Sequence, residues 1–170
     1  MTCPRFLALL LPLAAAACLN LNDPINNVTP ATVETTTFEP SLGVDVAAST
    51  RTQSGLYYRD ITVGTGETIS AGDSAGVYFL GSLSTGTAFD SVKAPSNPAL
   101  FKVGDLRLIQ GFEEGVVGMK VGGTRQLLIP PTIGFGFSDL VDQTTGLVVI
   151  PGNSVVVFTV DAVSRTAPTT

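Results

Sequence analysis

Few side chains in this sequence of 170 residues are suited to covalent chemistry. The absence of histidine excludes a Ser-His-Asp triad, a Cys-His pair and every metal site built on histidine. The two cysteines, Cys3 and Cys18, lie near the amino terminus, so the rest of the chain has neither a disulfide nor a reactive thiol. Gly64-Thr65-Gly66 is not followed by the Gly, Lys or helix start that a nucleotide loop requires.

Composition and charge narrow the range of partners. Hydrophobic residues make up 44% of the chain, enough for a sizeable core in one domain with extensions. The net charge is -5 and the pI is about 4.5. Nucleic acids and anionic lipid surfaces both attract basic patches. We therefore expect neither to bind this chain through its charge.

Residues 104 to 119 carry the pattern of one short amphipathic helix. Its apolar residues recur at spacings of three and four, namely Ile109, Phe112, Val116 and Met119. Glu113 and Glu114 fall in the first turn, where the helix dipole favours negative charge. Gly122-Gly123 suits a cap after the last apolar residue. The pattern predicts a single helix whose stripe packs on a sheet.

Strand patterns surround this helix on both sides. The predicted strands cover residues 56–63, 76–81, 88–103 with an interruption at 95–98, 124–129 and 155–163. Residues 138–149 extend a glycine-rich loop, and the turn at Thr144-Thr145-Gly146 suggests a small hairpin there. These elements predict an α+β fold in which a twisted antiparallel sheet of five or six strands wraps around one short α-helix.

Three motifs resemble the FKBP-type peptidyl-prolyl cis-trans isomerases. The helix start reads Leu108-Ile109-Gln110-Gly111-Phe112-Glu113-Glu114-Gly115, where that family has VIxGWEEG. Phe89-Asp90-Ser91-Val92 corresponds to FDSS, and Met119-Lys120-Val121-Gly122 corresponds to Met-x-Val-Gly. The likeness extends over residues 54 to 164 in the family's order. We therefore delimit an FKBP-type domain at residues 54–165, with a disordered tail at 166–170.

The resemblance implies a pocket between helix and sheet that isomerises X-Pro bonds in extended or unfolded polypeptides. Carried over by position, the catalytic residues are Phe89, Asp90, Ile109, Phe112 and Phe135. The substrate-binding residues are Phe79, Leu108, Ile150 and Phe158. The family's chemistry needs no cofactor or metal, and the backbone amide of Ile109 would hold a substrate carbonyl. Without the motif order, these phenylalanines would be interpreted as ordinary core and Asp90 as a turn or capping residue.

This sequence departs from the family at several pocket positions. Phe79 and Phe135 stand where the family has tyrosines, and Phe112 stands where it has tryptophan. The basic residue that often partners the pocket aspartate has no match near Pro95. These changes are expected to affect the binding of macrolide inhibitors, the family's other ligands, and the role of Asp90 more than they affect turnover. Two alternatives to an enzyme remain: a non-catalytic module that binds proline-containing segments, and a purely structural domain. We expect a monomer.

The amino terminus predicts export. Arg5 precedes an apolar run from Phe6 to Leu19, too short to span a bilayer and typical of a signal peptide at residues 1–17. Ala15-Ala16-Ala17-Cys18 resembles the bacterial lipobox, which implies that Cys18 is lipidated and that the protein lies in the cell envelope. Because the residue after the cysteine is Leu19 and not aspartate, the sorting pattern of such lipoproteins implies the outer membrane. The alternative is cleavage after Ala17 without lipid. Residues 18–53 are then the lipidated cysteine and a flexible linker, in which residues 42–48 are apolar enough to pack on the domain.

Overall fold

The computed structural model describes residues 28–168 and confirms the predicted fold class. An antiparallel sheet of seven strands packs against one short helix. The strands of this sheet are β1 (Thr50–Arg51), β2 (Tyr57–Thr62), β3 (Ser74–Leu83), β4 (Ala88–Val92), β5 (Ala99–Lys102), β6 (Thr124–Ile129) and β9 (Val156–Thr166). Two further strands, β7 (Leu140–Val141) and β8 (Val148–Ile150), pair only with each other, and the helix is α1 (Gln110–Val116). The sheet order is β1-β2-β6-β9-β3-β4, with β5 also paired to β3. The interruption predicted at 95–98 separates β4 from β5.

The long central pair of β3 and β9 carries the core. These strands pair from Ser74 opposite Thr166 to Leu83 opposite Val156. Alternate residues of β9 point to opposite faces, as the period of two requires. Val156, Phe158 and Val160 join the main core under the helix, while Val157 joins a smaller cluster on the outer face. Because the pairing includes Thr166, the domain extends one residue into the predicted tail.

Two glycines let α1 lie close to β6. A Cβ atom added at Gly111 would come within 2.5 Å of Ile129, and one at Gly115 within 2.5 Å of Leu127. The helix is shorter than its apolar stripe, because it ends at Val116 and the chain turns at Gly118 with φ +82°. Gly118, rather than the predicted Gly122-Gly123, therefore takes the left-handed position after the helix.

Residues 31–46 form a strap across the outer face of the sheet. The sequence predicts a flexible linker here, with only 42–48 packed on the domain. In the structure Val33 is 2% exposed and packs in a cluster with Tyr57, Leu128, Val155 and Val157. Side chains of the sheet donate hydrogen bonds to the strap: Arg59 Nη2 to the Gly43 carbonyl at 2.7 Å and Gln126 Nε2 to the Leu42 carbonyl at 2.8 Å. The strap is ordered because this face is apolar and would otherwise meet water.

The segment after the predicted glycine-rich loop forms the hairpin of β7 and β8. Asp142 Oδ1 accepts hydrogen bonds from the amides of Thr144 and Thr145, which closes the turn between the two strands. No helix within residues 28–168 is long and apolar enough to cross a membrane. Cys3, Cys18 and the predicted signal peptide lie outside the described residues.

Candidate active site

An aromatic cavity of about 240 Å³ opens between α1 and the sheet. Its lining consists of Phe79, Phe89, Asp90, Arg107, Leu108, Ile109, Phe112, Phe135 and Phe158. The structure thus brings together all the predicted pocket residues except Ile150, and it adds Arg107. The cavity is lined mainly by aromatic carbon, so it can hold a small apolar ring away from water.

Strand register brings Phe89 and Phe158 together across Gly81. Gly81 of β3 lies opposite Asp90 of β4 on one side and opposite Phe158 of β9 on the other. The rings of Phe89 and Phe158 meet edge to face, with centroids 5.6 Å apart and planes at 82°. A Cβ atom at Gly81 would stand 2.8 Å from both rings. Any larger residue at position 81 would therefore force these rings to shift.

Phe112 forms the floor of the cavity from the first turn of α1. Its ring centroid lies 5.2 Å from that of Phe158 and 5.7 Å from that of Phe79, both at steep interplanar angles. Phe101 of β5 supports it from behind at 5.9 Å. Only 4% of Phe112 is exposed, so the residue is at once core and cavity wall. Edge-to-face contacts of this kind add about 0.5–1.5 kcal/mol each beyond burial of area.

Phe135 closes the cavity from the loop that follows β6. A 3₁₀ turn at Pro131–Ile133 ends the strand, and Phe135 follows it. Its ring packs edge to face on Phe89, at 5.7 Å and 86°. The amide of Gly136 donates to the Pro131 carbonyl at 3.0 Å, which holds the loop beside the sheet. Phe135 thus reaches the position that the sequence predicts for it.

A buried carboxylate positions the loop that leads into α1. Glu113 is 5% exposed, and its carboxylate accepts hydrogen bonds from the amides of Gly104, Leu106 and Leu108, at 2.9, 3.3 and 3.2 Å. The sequence predicts a favourable interaction of Glu113 with the helix dipole but does not predict these hydrogen bonds. The three bonds fix the backbone that carries Leu108 and Ile109 to the cavity rim. Among the described residues, nothing accepts a hydrogen bond from the amide of Ile109, so this donor is available at the cavity.

The polar rim consists of Asp90 and Arg107. Both side chains are exposed, and no ion pair joins them within the described part of the chain. The sequence offers no basic partner for Asp90 near Pro95, and it does not predict that Arg107 lines the cavity. The signal that could have shown this was the place of Arg107 directly before Leu108, the first residue of the helix motif. Residues 28–168 hold no cluster of His, Cys, Asp or Glu arranged to bind a metal ion.

Ile150 does not line the cavity. It is 1% exposed and lies in the main core, where β8 pairs with β7. The small hairpin turns its side chain into the core instead of toward the cavity. Ile150 therefore supports the loop that carries Phe135 and has no direct contact surface for a ligand there.

Comparisons with known proteins agree on one family. The sequence model of the FKBP-type peptidyl-prolyl cis-trans isomerases matches residues 65–163. FK506-binding protein 2 of Dictyostelium discoideum is 37% identical over 117 residues, which cover 68% of this chain and 80% of that protein. FK506-binding protein 4 of Gibberella zeae is 38% identical over 122 residues, which cover 72% of this chain and 22% of that protein.

A solved structure shares the fold. The crystal structure of FkpA from Escherichia coli aligns with a TM-score of 0.59 and 29% identity, over 72% of this chain and 53% of that one. The first curated relatives are much longer, and the chain spans only about a quarter of their length. The shared part is the domain that contains the aromatic cavity.

Proposed function

Because this chain belongs to the FKBP-type peptidyl-prolyl cis-trans isomerase family, we propose that it accelerates rotation about X-Pro bonds in extended or unfolded polypeptides. The observation that carries the proposal is the aromatic cavity itself. Five phenylalanines from three strands, one helix and one loop enclose a space of about 240 Å³, with the amide of Ile109 at its rim.

The apolar lining of the cavity favours the transition state of rotation, because a proline ring bound there would be shielded from water. Twisting a peptide bond costs about 18–20 kcal/mol because it destroys amide resonance. The twisted amide is less polar and less hydrated than the planar one. A dry aromatic site that grips the proline ring therefore binds the twisted state more tightly than either planar isomer, which is catalysis by differential binding.

The backbone amide of Ile109 supplies the polar contact that orients the substrate. It would donate to a carbonyl of the bound peptide, while Phe112 and Phe158 hold the ring. Glu113 fixes the approach of this loop, so the donor is positioned before substrate arrives. No covalent step and no cofactor is needed for this rotation. Asp90 stands at the rim as the one carboxylate in the lining of the cavity.

An X-Pro isomerisation assay tests this proposal. The protein should comprise residues 28–170, because the strap covers an apolar face of the sheet. We expect acceleration at micromolar protein, with a large loss in Phe89→Leu. Phe38→Leu is the matched control, since Phe38 is a half-buried phenylalanine of the strap that packs on the outer cluster and does not line the cavity. If the wild type does not accelerate isomerisation, the enzyme hypothesis is contradicted and the hypothesis of a binding module remains.

The second candidate function, a non-catalytic module that holds proline-containing segments, is favoured by one observation. Phe79 and Phe135 supply the cavity with aromatic surface but not with the hydroxyls found at these positions in the family. Saturable binding of proline peptides without acceleration would support this module. Acceleration that is lost with Phe89→Leu would contradict it.

We also propose that the protein acts in the bacterial cell envelope, as a monomer anchored through a lipid on Cys18, on exported clients. The support is the apolar run that ends in Ala15-Ala16-Ala17-Cys18. Expressed in a bacterium with its signal, the chain should partition into membranes, and Cys18→Ser should release it or block its maturation. Equal solubility of the two forms would contradict the anchor. Light scattering on the purified chain tests for a monomer.

A further inference from the structure

A second, larger cavity adjoins the aromatic one. This flanking groove, of about 600 Å³, runs beside β5 and the end of β9. It shares Arg107 and Leu108 with the lining of the aromatic cavity, so the two spaces meet at these residues. A polypeptide whose proline occupies the aromatic cavity would continue into the groove.

The walls of the groove suit an extended polypeptide. Leu100 is 74% exposed and Leu108 is 41% exposed, so both offer apolar surface that the fold itself leaves uncovered. Ser164 adds a polar group to the wall formed by β9. Apolar surface with scattered polar groups is typical of sites that bind peptide segments.

Of the basic residues that line the two cavities, Arg107 is the one whose charge is free to bind a ligand. Lys102 also lines the groove, but its ammonium lies 3.9 Å from the carboxylate of Asp105, so these two charges offset one another. Within residues 28–168, the guanidinium of Arg107 makes no ion pair or hydrogen bond with another side chain. It stands at the junction of the two cavities with its donors unused.

We propose that Arg107 is a specificity-determining residue, which makes this protein prefer clients with an acidic side chain beside the X-Pro bond. This inference rests on the proposed function. The guanidinium would pair with a carboxylate of the client segment in the flanking groove, while the proline ring fills the aromatic cavity. The overall charge of -5 opposes acidic clients at long range. Salt limits that repulsion to about 8 Å at physiological ionic strength. The nearby charge of Arg107 therefore determines which side chain is preferred beside the X-Pro bond.

The test is a matched set of proline peptides that differ by one residue. Glu, Ala or Lys is placed singly at the positions just before and just after X-Pro. For each peptide, kcat/KM and the dissociation constant are measured in parallel. An exposed ion pair of this kind changes binding by about two- to fivefold. We expect the wild type to favour Glu over Lys by that factor at one or more positions.

Variants assign the preference to its residue. Arg107→Gln should abolish the preference and Arg107→Glu should reverse it. Lys120→Glu is the control, since it makes the same change in net charge at an exposed lysine outside both cavities. A preference that survives in Arg107→Glu, or its absence from the wild type, would overturn the inference. If no peptide is accelerated, the proposed isomerase fails by itself, and the dissociation constants still decide the role of Arg107.

Discussion

Phe112 of α1 and Phe158 of β9 meet edge to face with ring centroids 5.2 Å apart, and this contact both joins the helix to the sheet and forms the base of the cavity. Stability and ligand binding therefore depend on the same two rings. A substitution that empties this position weakens the core before it alters chemistry. A substitution that enlarges the ring can probe the cavity while the core remains filled.

Phe112→Trp is accordingly the informative change at the floor. The cavity offers space beside the ring, so we expect the free energy of unfolding to change by less than about 1.5 kcal/mol and turnover to be retained or raised. Phe112→Ala should cost about 3–5 kcal/mol, because it leaves a void among Phe79, Phe101 and Phe158. Urea unfolding and the isomerisation assay measure both effects. Loss of folding in Phe112→Trp would show that the floor has no room toward the cavity.

Phe135→Tyr should tighten macrolide binding several-fold. The new hydroxyl would enter the cavity and donate to a ligand carbonyl, a net gain of about 0.5–1.5 kcal/mol. Turnover on a peptide should change much less, since the aromatic enclosure is already complete. Titration with a macrolide beside the isomerisation assay measures the difference. Phe137→Tyr is the control, because Phe137 is 49% exposed and does not line the cavity. Equal affinities of Phe135→Tyr and wild type would mean that residue 135 does not face the ligand.

Gly81→Ala should reduce kcat/KM by about tenfold to a hundredfold. Its Cβ would stand 2.8 Å from the rings of Phe89 and Phe158 and push them out of position. The strain should also cost about 1–3 kcal/mol of stability. Gly64→Ala separates the two effects, because its Cβ would clash with the backbone of Lys120 and Val121, away from the cavity. That variant should lose stability and keep the activity of its folded fraction. Equal activity losses would contradict a special role for Gly81.

Acid should weaken the domain through Asp73. Hydrogen bonds, first from the Arg165 guanidinium and then from the Ser70 amide, hold the pKa of this buried carboxyl below its ordinary value. A carboxyl with a lowered folded-state pKa stabilises the fold fully above the unfolded value of about 3.9, and the contribution is lost as the pH falls through the folded value.

Urea unfolding between about pH 5 and pH 2 measures this loss. Asp73→Asn should be less stable at neutral pH and should flatten the decline in acid. An identical pH profile for Asp73→Asn and wild type would remove Asp73 from the explanation.

The strap should contribute to stability through Val33. Val33→Ala removes two buried methyl groups from the outer cluster and should cost about 1–2 kcal/mol. Val28→Ala, at a residue that is 49% exposed, should cost less than about 0.5 kcal/mol. Urea unfolding of both variants measures the difference. A Val33→Ala protein as stable as the wild type would show that the strap lies on the sheet without stabilising it.

Much of the site was predictable because its residues belong to short motifs with fixed spacing. Phe89 and Asp90, or Ile109 and Phe112, are tied to one strand or one helix start, so their relative positions follow from local structure. The strap was predictable at residues 42–48, whose apolar side chains follow one another closely in the sequence. Its first part was not, because Val33 is an isolated apolar residue in a polar segment, without a periodic pattern that could signal burial. Its partners, such as Leu128 and Val157, come from distant strands.

Two further differences at the site have similar causes. The sequence places Ile150 beside a loop-closing proline, but the pairing of β8 with β7 determines that its side chain enters the core. Arg107 reaches the rim because Glu113 holds the loop before α1 through hydrogen bonds from three backbone amides. The spacing of residues in the sequence does not reveal bonds of this kind. Both outcomes depend on tertiary contacts.

For a chain anchored through Cys18, as proposed above, the strap would limit how far the cavity can stand from the membrane. With residues 28–53 held on the domain, only residues 19–27 separate the first described residue from Cys18. Fully extended, they span at most about 30 Å, against about 120 Å for a free chain from 19 to 53. An enzyme anchored through Cys18 would thus work close to the lipid surface, on polypeptides that are just emerging from the bilayer or lying beside it. Distant clients would have to diffuse to it.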